Sequence, residues 1–420
     1  MVDKDLFLYD LAFVAIMKGE EPYVKEWLDY HLLTGVDHFY IYDNDSTPDF
    51  KDILQPYIDA GIVTYIFYPG KARQYEAYND AFKNFKFECR YMAIVDGDEF
   101  IFPKSKPTIT EIIDEILSPN PNAAALGANW IFYGSNGQET ADFTRGVLDR
   151  FTARDANVDK HTKTIADPRW IDFFPNSHYA IYFEGKYPVN EQGNIFVGPF
   201  NEKKTADKIC INHYHTKSRE EYIAKKTRGD VISFNGNKYN DTLFKSLDRN
   251  SEHDDGILKY RDARRAALIP EGQGIESLFP RKQINHIKLI NALIQNLFQT
   301  TIKGTPQNFF NGKMETFLTC LHLTKYLKEK YLEDTAAKFF EEATINAINR
   351  SLYSGMTAAD LFLLLREMPK ILNMDYPAVK NIRELCINFI NQIMVTYRMA
   401  NQWQKFTELD DKLELLKNFK

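Results

Sequence analysis

The chain has 420 residues, of which 44% are hydrophobic and 26% charged, a composition typical of a folded globular protein. This length exceeds what one hydrophobic core usually organises, so we expect two domains. The formal net charge of −6 provides no overall field that would attract nucleic acid, so nucleic acid is not an expected partner.

The cysteine pattern and the N-terminus indicate the compartment. The cysteines lack C-x-x-C spacing, which argues against a zinc knuckle and is typical of buried thiols in a reducing compartment: Cys89, Cys210, Cys320 and Cys386. The N-terminal stretch has acids where a signal peptide needs basic residues, and no apolar run approaches the roughly 18 residues of a membrane span. The sequence therefore predicts a cytoplasmic protein.

Residues 11–103 alternate between apolar strand patterns and amphipathic helix patterns. In chain order these are the strand LAFVAIMK, the helix PYVKEWLDYHLLTG, the strand HFYIYDN, the helix FKDILQPYIDAG, broken or bent near Pro56, the strand IVTYIFY, the helix RQYEAYNDAFKNF and a strand that begins YMAIV. Four strands separated by three helices predict an α/β fold with a mostly parallel sheet and right-handed crossovers.

Beyond residue 103 the alternation is looser. Residues 104–215 contain turn-rich stretches between short strands such as AAALGANW and DKICINHYH, which we expect to complete the sheet. From about residue 265 the pattern is helical, and the apolar residues of 376–399 follow the i, i+3, i+4, i+7 spacing. We therefore expect a catalytic-sized domain at residues 1–264 and a helical domain at residues 265–420.

Polar side chains follow the predicted strands, where ligands bind in open α/β sheets. Asp96 and Asp98 come after the fourth strand, two residues apart, so their carboxylates project to the same side. Carboxylates suit Mg²⁺ or Mn²⁺, and crowded ones raise each other's pKa unless a cation neutralises them. The spacing predicts a metal site, with a solvated acidic turn as the alternative.

Glu20 and Asp43 suit a ribose or a base, with a helix N-cap as the alternative for Asp43.

A second constellation lies in residues 209–230. A short strand carries His213 and His215 on one face, where a histidine would complete a metal site, and Ser218 with Glu221 forms a capping box that opens a helix. The positive end of this helix and the cations near it suit a diphosphate: Lys217, Lys225 and Arg228. The alternatives are structural histidines and ordinary surface cations.

Taken together, these motifs resemble the GT-A fold glycosyltransferases, specifically glycosyltransferase family 92 and its bacterial relatives near family 2. The likeness lies in six stretches: KGEEPYVKEWLDYHLLTGVDHFYIYDNDS, Q-x-x-x-Y-N (Gln74 to Asn79), I-V-D-G-D-E-F, W-I-F-Y-G-S-N-G (Trp130 to Gly137), K-T-I-x-x-P (Lys163 to Pro168) and HYHTKSREEYIAKKTRG. Six motifs in one order are far more specific than any single one. They span roughly residues 11–230 and imply a GT-A (Rossmann-like) fold.

The resemblance implies transfer of a sugar from a nucleoside diphosphate sugar, with a UDP-sugar favoured, to a hydroxyl of a glycan or lipid-linked acceptor, with inversion. It implies Mn²⁺ or Mg²⁺ as cofactor. Asp98 is then the direct ligand, Asp96 contacts the ribose, the metal or its water, and His213 or His215 completes the shell. The implied donor-binding residues are Lys18, Glu20, Asp43, Arg73, Gln74, Asn79, Asp96, Lys217 and Arg228.

An inverting transfer also needs a carboxylate base within hydrogen-bond reach of the attacking hydroxyl, and the sequence does not single one out. Asp149, after the Trp130 segment, is the preferred candidate. Other acids stay open: Glu139, Asp142, Glu184 and Glu191. Trp130 and Phe132 are candidates for an apolar platform under a sugar ring, although aromatic residues of a strand more often lie in the core.

Eukaryotic relatives carry a membrane tether, and this sequence departs from them in showing none, so we expect a bacterial cytoplasmic enzyme that builds a surface polysaccharide or a lipid-linked glycan. Peripheral contact with the inner membrane face and oligomerisation through the C-terminal helices stay open. Two other classes compete. A metal-dependent phosphohydrolase or nucleotidyltransferase would need more metal ligands for a two-metal site, and a non-catalytic nucleotide-binding scaffold would more often have lost an acid or histidine of the site.

Overall fold

A computed structural model describes residues 7–86, 88–229, 240–279, 365, 377–404, 407, 410 and 411 of the chain. The chain divides into two compact units, Met1–Gln283 and Ile284–Lys420, and each is described by itself. The predicted boundary after residue 264 stays a prediction, because most of the predicted helical domain lies outside the described residues.

The first unit alternates strands and helices. Its strands are β1 (Tyr9–Met17), β2 (His38–Asp43), β3 (Val63–Phe67), β4 (Cys89–Ile94), β5 (Glu99–Pro103), β6 (Ala123–Phe132), β7 (Ala153–Arg154), β8 (Thr162–Ala166), β9 (Ile171–Phe173), β10 (Ile181–Tyr182), β11 (Tyr187–Val189), β12 (Ile209–His213) and β13 (Glu252–His253). Its helices are α1 (Val24–Leu33), α2 (Pro48–Asp59), α3 (Gln74–Phe85), α4 (Ile109–Leu117), α5 (Val147–Arg150), α6 (Arg219–Arg228), α7 (Asp241–Leu247) and α8 (Gly256–Leu268).

A nine-stranded sheet organises the described part of this unit, in the order β3-β2-β1-β4-β8-β6-β12-β5, with β11 beside β6. Strands β3, β2, β1 and β4 run parallel to one another, as their helical connections require. Strand β8 runs antiparallel between β4 and β6, and β5 runs antiparallel beside β12. The predicted α/β fold with a mostly parallel GT-A (Rossmann-like) sheet is confirmed.

The strand registers bring the carboxyl ends of several strands to one edge of the sheet. Met17 of β1 lies opposite Asp43 of β2, which in turn lies opposite Phe67 of β3. On the other side of β1, Val14 lies opposite Ile94, the last residue of β4. Because parallel strands end at the same edge, the loops that follow them surround one cleft.

Helices cover both faces of the sheet. Trp27 and Tyr30 of α1 lie in the apolar layer on one face, and Tyr78 and Phe82 of α3 lie in the layer on the other. Strands β2 and β4 are buried along their whole length, as expected for strands inside a parallel sheet. Helix α2 continues through Pro56, so the chain does not break there; the proline removes one backbone donor in the last turn.

In the second unit, α9 (Pro377–Met399) is a 23-residue helix with Ile390 and Met394 buried. Within the described part of the chain, no helix has the length and apolar character needed to cross a membrane. Cys89 and Cys210 are free and buried, as predicted. The side chains of the other two cysteines lie outside the described residues.

Candidate functional site

A cleft of about 270 Å³ lies at the carboxyl edge of the sheet, between the loops after β1 and β4 and the segment after β12. Residues predicted from the sequence line it: Lys18, Glu20, Gln74, Asp96, Asp98, His213, His215 and Arg228. The cleft therefore unites side chains that are up to about 200 positions apart in the sequence.

Strand pairing brings one acid and two histidines together in this cleft. Asp98 immediately precedes β5, and the antiparallel register of β5 and β12 places Glu99 opposite His213. The backbone N–H of Tyr214 donates to the carbonyl of Asp98 at 2.9 Å, which fixes the two loops to each other. One ligand atom each from Asp98, His213 and His215 lies within 4.8 Å of the others, a spacing that one metal ion can bridge.

The protonation states of this group suit a cation. Burial opposes ionisation of Asp98, but Lys225 and His213 outweigh it and hold the pKa of Asp98 well below its usual range. Burial, followed by the charge of Lys225, lowers the pKa of His215, so its ring is neutral at pH 7 and keeps a lone pair. Nδ1 of His213 is buried and has no hydrogen-bond partner among the described residues. These observations fit a divalent ion.

Asp96 belongs to a separate network on the other side of Gly97. Its Oδ2 lies 2.7 Å from Nζ of Lys163, and its Oδ1 accepts hydrogen bonds from Tyr78 at 2.9 Å and Gln74 at 3.2 Å. Burial opposes ionisation, but the Lys163 charge outweighs it and lowers the pKa of Asp96. Asp96 is thus an ionised carboxylate that Lys163 neutralises from inside the protein.

Cations surround the acids of the cleft. Lys225 donates to Asp98, and Arg228 donates to Glu20. Nζ of Lys217 lies 3.8 Å from a carboxylate oxygen of Glu20. Burial opposes protonation of Lys225, but Asp98 outweighs it and raises the pKa of Lys225, whereas burial lowers the pKa of Lys217. Such a concentration of positive charge at one end of a cleft suits a phosphate-bearing ligand.

Comparison with known proteins identifies the family. The model of glycosyltransferase family 92 matches residues 14–253 of the chain, which include every residue that lines the cleft. The chain belongs to glycosyltransferase family 92. The resemblance noted from the sequence is thereby confirmed.

Curated members of family 92 match part of the chain at low identity. A family 92 protein of Ricinus communis is 22% identical over 49% of this chain and 35% of its own length. One of Arabidopsis thaliana is 24% identical over 39% of this chain and 29% of its own length, and one of Caenorhabditis elegans is 27% identical over 24% of this chain and 23% of its own length. The chain thus spans about a quarter to a third of the curated relatives it matches.

Among solved structures, the crystal structure of Staphylococcus aureus TarS 1–349 is similar at 13% identity, with 78% of this chain and 89% of that chain covered and a TM-score of 0.27. The same protein in complex with UDP aligns at 10% identity, over 83% of this chain and 92% of that chain, also at a TM-score of 0.27. The assignment to family 92 rests on the family match.

Several donor-binding residues predicted for this family 92 chain are not among the residues that line the cleft. Asp43 accepts hydrogen bonds from the Ser46 backbone and the Tyr65 hydroxyl, so it stabilises the turn before α2. The Arg73 guanidinium lies 4.5 Å from the ring centre of Tyr68. Two other predicted residues do not line the cleft: Asn79, which forms hydrogen bonds with the backbone of Phe174, and Lys217, whose Nζ lies 3.8 Å from Glu20.

None of the acids proposed as the base is among the residues that line this cleft. Asp149 is in α5 and pairs with Arg261 at 3.3 Å. The other candidates have the following partners: Glu139 pairs with Arg219, Asp142 caps Thr144, Glu191 accepts from the N–H groups of residues 207–209, and Glu184 is exposed. The identity of the base stays a prediction.

The aromatic platform also stays a prediction. Trp130 lines the cleft but is only 8% exposed. Its ring stacks on His161, with 5.0 Å between ring centres, and its ring centre lies 4.3 Å from that of His213. Phe132 also stacks on His213, with 5.3 Å between ring centres. In the described structure these rings support the histidines.

Sequence reasoning gave no site role to several residues in or beside the cleft, among them Lys163, Ser177 and His178. Lys163 was part of a quoted motif without a role, although a lysine within an apolar strand is a signal of a buried partner. Ser177 and His178 line the cleft from the loop between β9 and β10. That loop lies about 80 positions from the acids, and its sequence, FFPNSHY, predicts a turn.

Proposed function

We propose that this chain transfers a sugar from a nucleoside diphosphate sugar, with UDP as the first nucleotide to test, to a hydroxyl of a glycan or lipid-linked acceptor. The observation that carries the proposal is the grouping of Asp98, His213 and His215 beside cations in one cleft. Membership of family 92 supports the same reaction class.

In this proposal Asp98, His213 and His215 hold a divalent ion, whose charge would stabilise the diphosphate as it departs from the sugar. One carboxylate and two imidazole nitrogens suit Mn²⁺ better than Mg²⁺, since Mg²⁺ prefers oxygen ligands in a strict octahedron. The neutral state of His215 favours binding because a ligating imidazole must be deprotonated.

The cations of α6 provide the remaining contacts to the phosphates. Lys225 and Arg228 lie in the last turns of α6 and line the cleft. Their present partners are Asp98 and Glu20, acids that the same cleft exposes to a ligand. Charge-assisted hydrogen bonds from such groups orient a diphosphate and contribute more than neutral hydrogen bonds do. Lys18, which also lines the cleft, is placed to act in the same way.

Further details of the reaction belong to the proposal alone. Inversion at the anomeric carbon requires a base that deprotonates the acceptor hydroxyl, and Asp149 remains the preferred candidate from the sequence. The proposed acceptor is a surface polysaccharide or a lipid-linked glycan assembled in the cytoplasm. The donor sugar is set by the shape of the cleft.

A thermal-shift screen tests the proposal. The full chain is melted with UDP, GDP or CDP, each with Mn²⁺ or with EDTA, because a ligand that binds the native state raises Tm. We expect one nucleotide to stabilise the chain only when Mn²⁺ is present. Stabilisation equal in EDTA would contradict the metal role, and no stabilisation by any nucleotide would contradict the donor class.

A further inference from the structure

The loop between β9 and β10 is rigidly attached to the wall of the cleft. Asn79 of α3 donates to the Phe174 carbonyl at 3.0 Å and accepts from its N–H at 2.8 Å. The Thr164 hydroxyl donates to the His178 carbonyl at 3.1 Å, and the Asn176 side chain accepts from the His178 N–H at 2.8 Å. The His178 ring is therefore presented from a fixed backbone.

The hydrogen bonds of the His178 ring determine its tautomer. Nδ1 lies 3.1 Å from the carbonyl oxygen of Thr162. A carbonyl only accepts, so Nδ1 carries the proton and Nε2 of the neutral ring carries a lone pair. Burial, followed by the charge of Lys163, lowers the pKa of His178 to about 3, which agrees with a neutral ring at pH 7. Nε2 is thus a hydrogen-bond acceptor.

His178 lies close to the candidate metal ligands. The ring centre of His178 is 4.8 Å from that of Trp130, which is 4.3 Å from that of His213. His178 and Ser177 line the same cleft as Asp98. One indole ring therefore separates the His178 acceptor from the group that would hold the metal.

Because Nε2 of His178 is a hydrogen-bond acceptor, it binds a ligand group that donates a hydrogen bond. Phosphate oxygens of a diphosphate ester accept hydrogen bonds, so they form none with an imidazole nitrogen that carries only a lone pair. They do accept hydrogen bonds from the cations at the α6 end of the cleft. A sugar hydroxyl donates as well as accepts. In a nucleoside diphosphate sugar, the sugar is joined directly to the second phosphate, so it lies next to the phosphate site.

We infer that Nε2 of His178 accepts a hydrogen bond from a hydroxyl of the donor sugar, which makes His178 and Ser177 a subsite that distinguishes the nucleotide sugar from the free nucleotide. This inference rests on the proposed function. It assigns the α6 end of the cleft to the diphosphate and the His178 end to the sugar.

Two substitutions at His178 distinguish the role of Nδ1 from that of Nε2. His178→Asn keeps an amide donor near the position of Nδ1, which preserves the bond to Thr162, but removes Nε2. His178→Gln extends an amide oxygen toward the position of Nε2. His253→Asn is the matched control, because His253 is an exposed histidine of β13 that does not line the cleft.

The test is calorimetric titration of the full chain in Mn²⁺ with UDP and with UDP-glucose, UDP-galactose, UDP-N-acetylglucosamine and UDP-N-acetylgalactosamine. For the UDP-sugar that the parent binds most tightly, we expect His178→Asn to lower affinity about 3- to 10-fold, the loss typical of one neutral hydrogen bond. UDP affinity stays within about 2-fold of the parent. His178→Gln recovers part of the loss, and His253→Asn behaves as the parent.

The outcomes separate the inference from the proposed function. If the parent binds UDP and His178→Asn changes the affinities for UDP and the UDP-sugar by the same factor, or changes neither, the sugar subsite is wrong while the donor class stands. If the parent binds no UDP compound, the proposed UDP donor is wrong, and the subsite inferred from it is overturned as well.

Discussion

At the scale of single residues, buried charge organises the cleft. The Lys163 side chain is fully buried, with its ammonium 2.7 Å from Asp96 and 3.4 Å from Glu99. Burial opposes protonation of Lys163, but the two carboxylates outweigh it and raise the pKa of Lys163. Burial raises the pKa of Glu99 well above its usual range, so the trio is electrically balanced when Glu99 is protonated.

We predict that Lys163→Met destabilises the protein by about 3 kcal/mol or more, because removal of one partner leaves a buried carboxylate without its counter-charge. Urea unfolding at pH 7 measures the loss. Lys160→Met is the control, since Lys160 is a neighbouring lysine with a 42% exposed side chain. Equal stability of the two variants would contradict the role given to Lys163.

The residues that sequence reasoning found are those whose signal is local. Asp98 follows an apolar strand, and His213 and His215 lie two apart at a strand end. A few neighbouring residues in the sequence are therefore enough to identify each of them as a candidate site residue. The Lys163–Asp96 pair depends on β8 running antiparallel beside β4. Cross-strand pairing over about 70 residues leaves no local trace, which is why the partner of Lys163 could not be predicted.

At the scale of elements, a buried ion pair fixes the start of α6, the helix that carries Lys225. The guanidinium of Arg150, in α5, donates two hydrogen bonds of 2.8 Å to the carboxylate of Glu221. The Tyr23 hydroxyl donates to the same carboxylate at 2.9 Å. Glu221 also forms the predicted capping box with Ser218. The network ties α6 to α5 and to the residue before α1.

This network predicts a dependence of stability on pH. Burial opposes ionisation of Glu221, but the bonds from Arg150 and Ser218 outweigh it and lower its pKa from about 4.5 to about 2. The stabilisation is therefore complete above pH 4.5 and is lost as the pH falls toward 2. Between pH 7 and pH 3 the free energy of unfolding of the parent falls by about 2 kcal/mol because of this group, and that of Glu221→Gln does not.

Urea unfolding of the parent and Glu221→Gln at pH 7 and pH 3 measures this difference. The gap in stability between the two proteins narrows at pH 3 if the network acts as described. Glu139→Gln, at a glutamate whose side chain is 72% exposed, is the control and shows no such narrowing. A gap that stays constant with pH would contradict the low pKa of Glu221.

The regular elements of the first hundred residues were predictable because hydrophobic periodicity is a local property. The strands and helices from β1 to β4 follow the predicted order. The short strands β7, β9, β10 and β13 have two or three residues each, too few to show a period. The loop that carries His178 lies between two of them, so its position at the cleft could not be predicted from the sequence.

At the scale of the whole molecule, residues that follow position 264 pack against α1 of the first unit. Ile269 and Ile275 are buried and form an apolar cluster with Leu33 of α1. Arg264 of α8 also donates to the Leu33 carbonyl at 3.3 Å. The segment after residue 264 therefore covers apolar surface of α1.

We predict that a chain truncated after Gln283 is more stable than one truncated after residue 264. Two buried isoleucines are lost from the shorter chain, and each buried aliphatic side chain contributes about 1.5–3 kcal/mol. Thermal unfolding followed by circular dichroism compares the two. Equal Tm values would instead place the end of the first unit near residue 264.

The most direct test of the metal site is calorimetric titration of UDP into the full chain in Mn²⁺ and in EDTA, with Asp98→Asn and, as control, Asp142→Asn at a half-buried aspartate that does not line the cleft. We predict that the parent and the control bind UDP at least about 10-fold more tightly in Mn²⁺, a difference of about 1.4 kcal/mol. Asp98→Asn should bind equally weakly in both. Binding by Asp98→Asn that matches the parent in Mn²⁺ would contradict the metal site and the mechanism built on it.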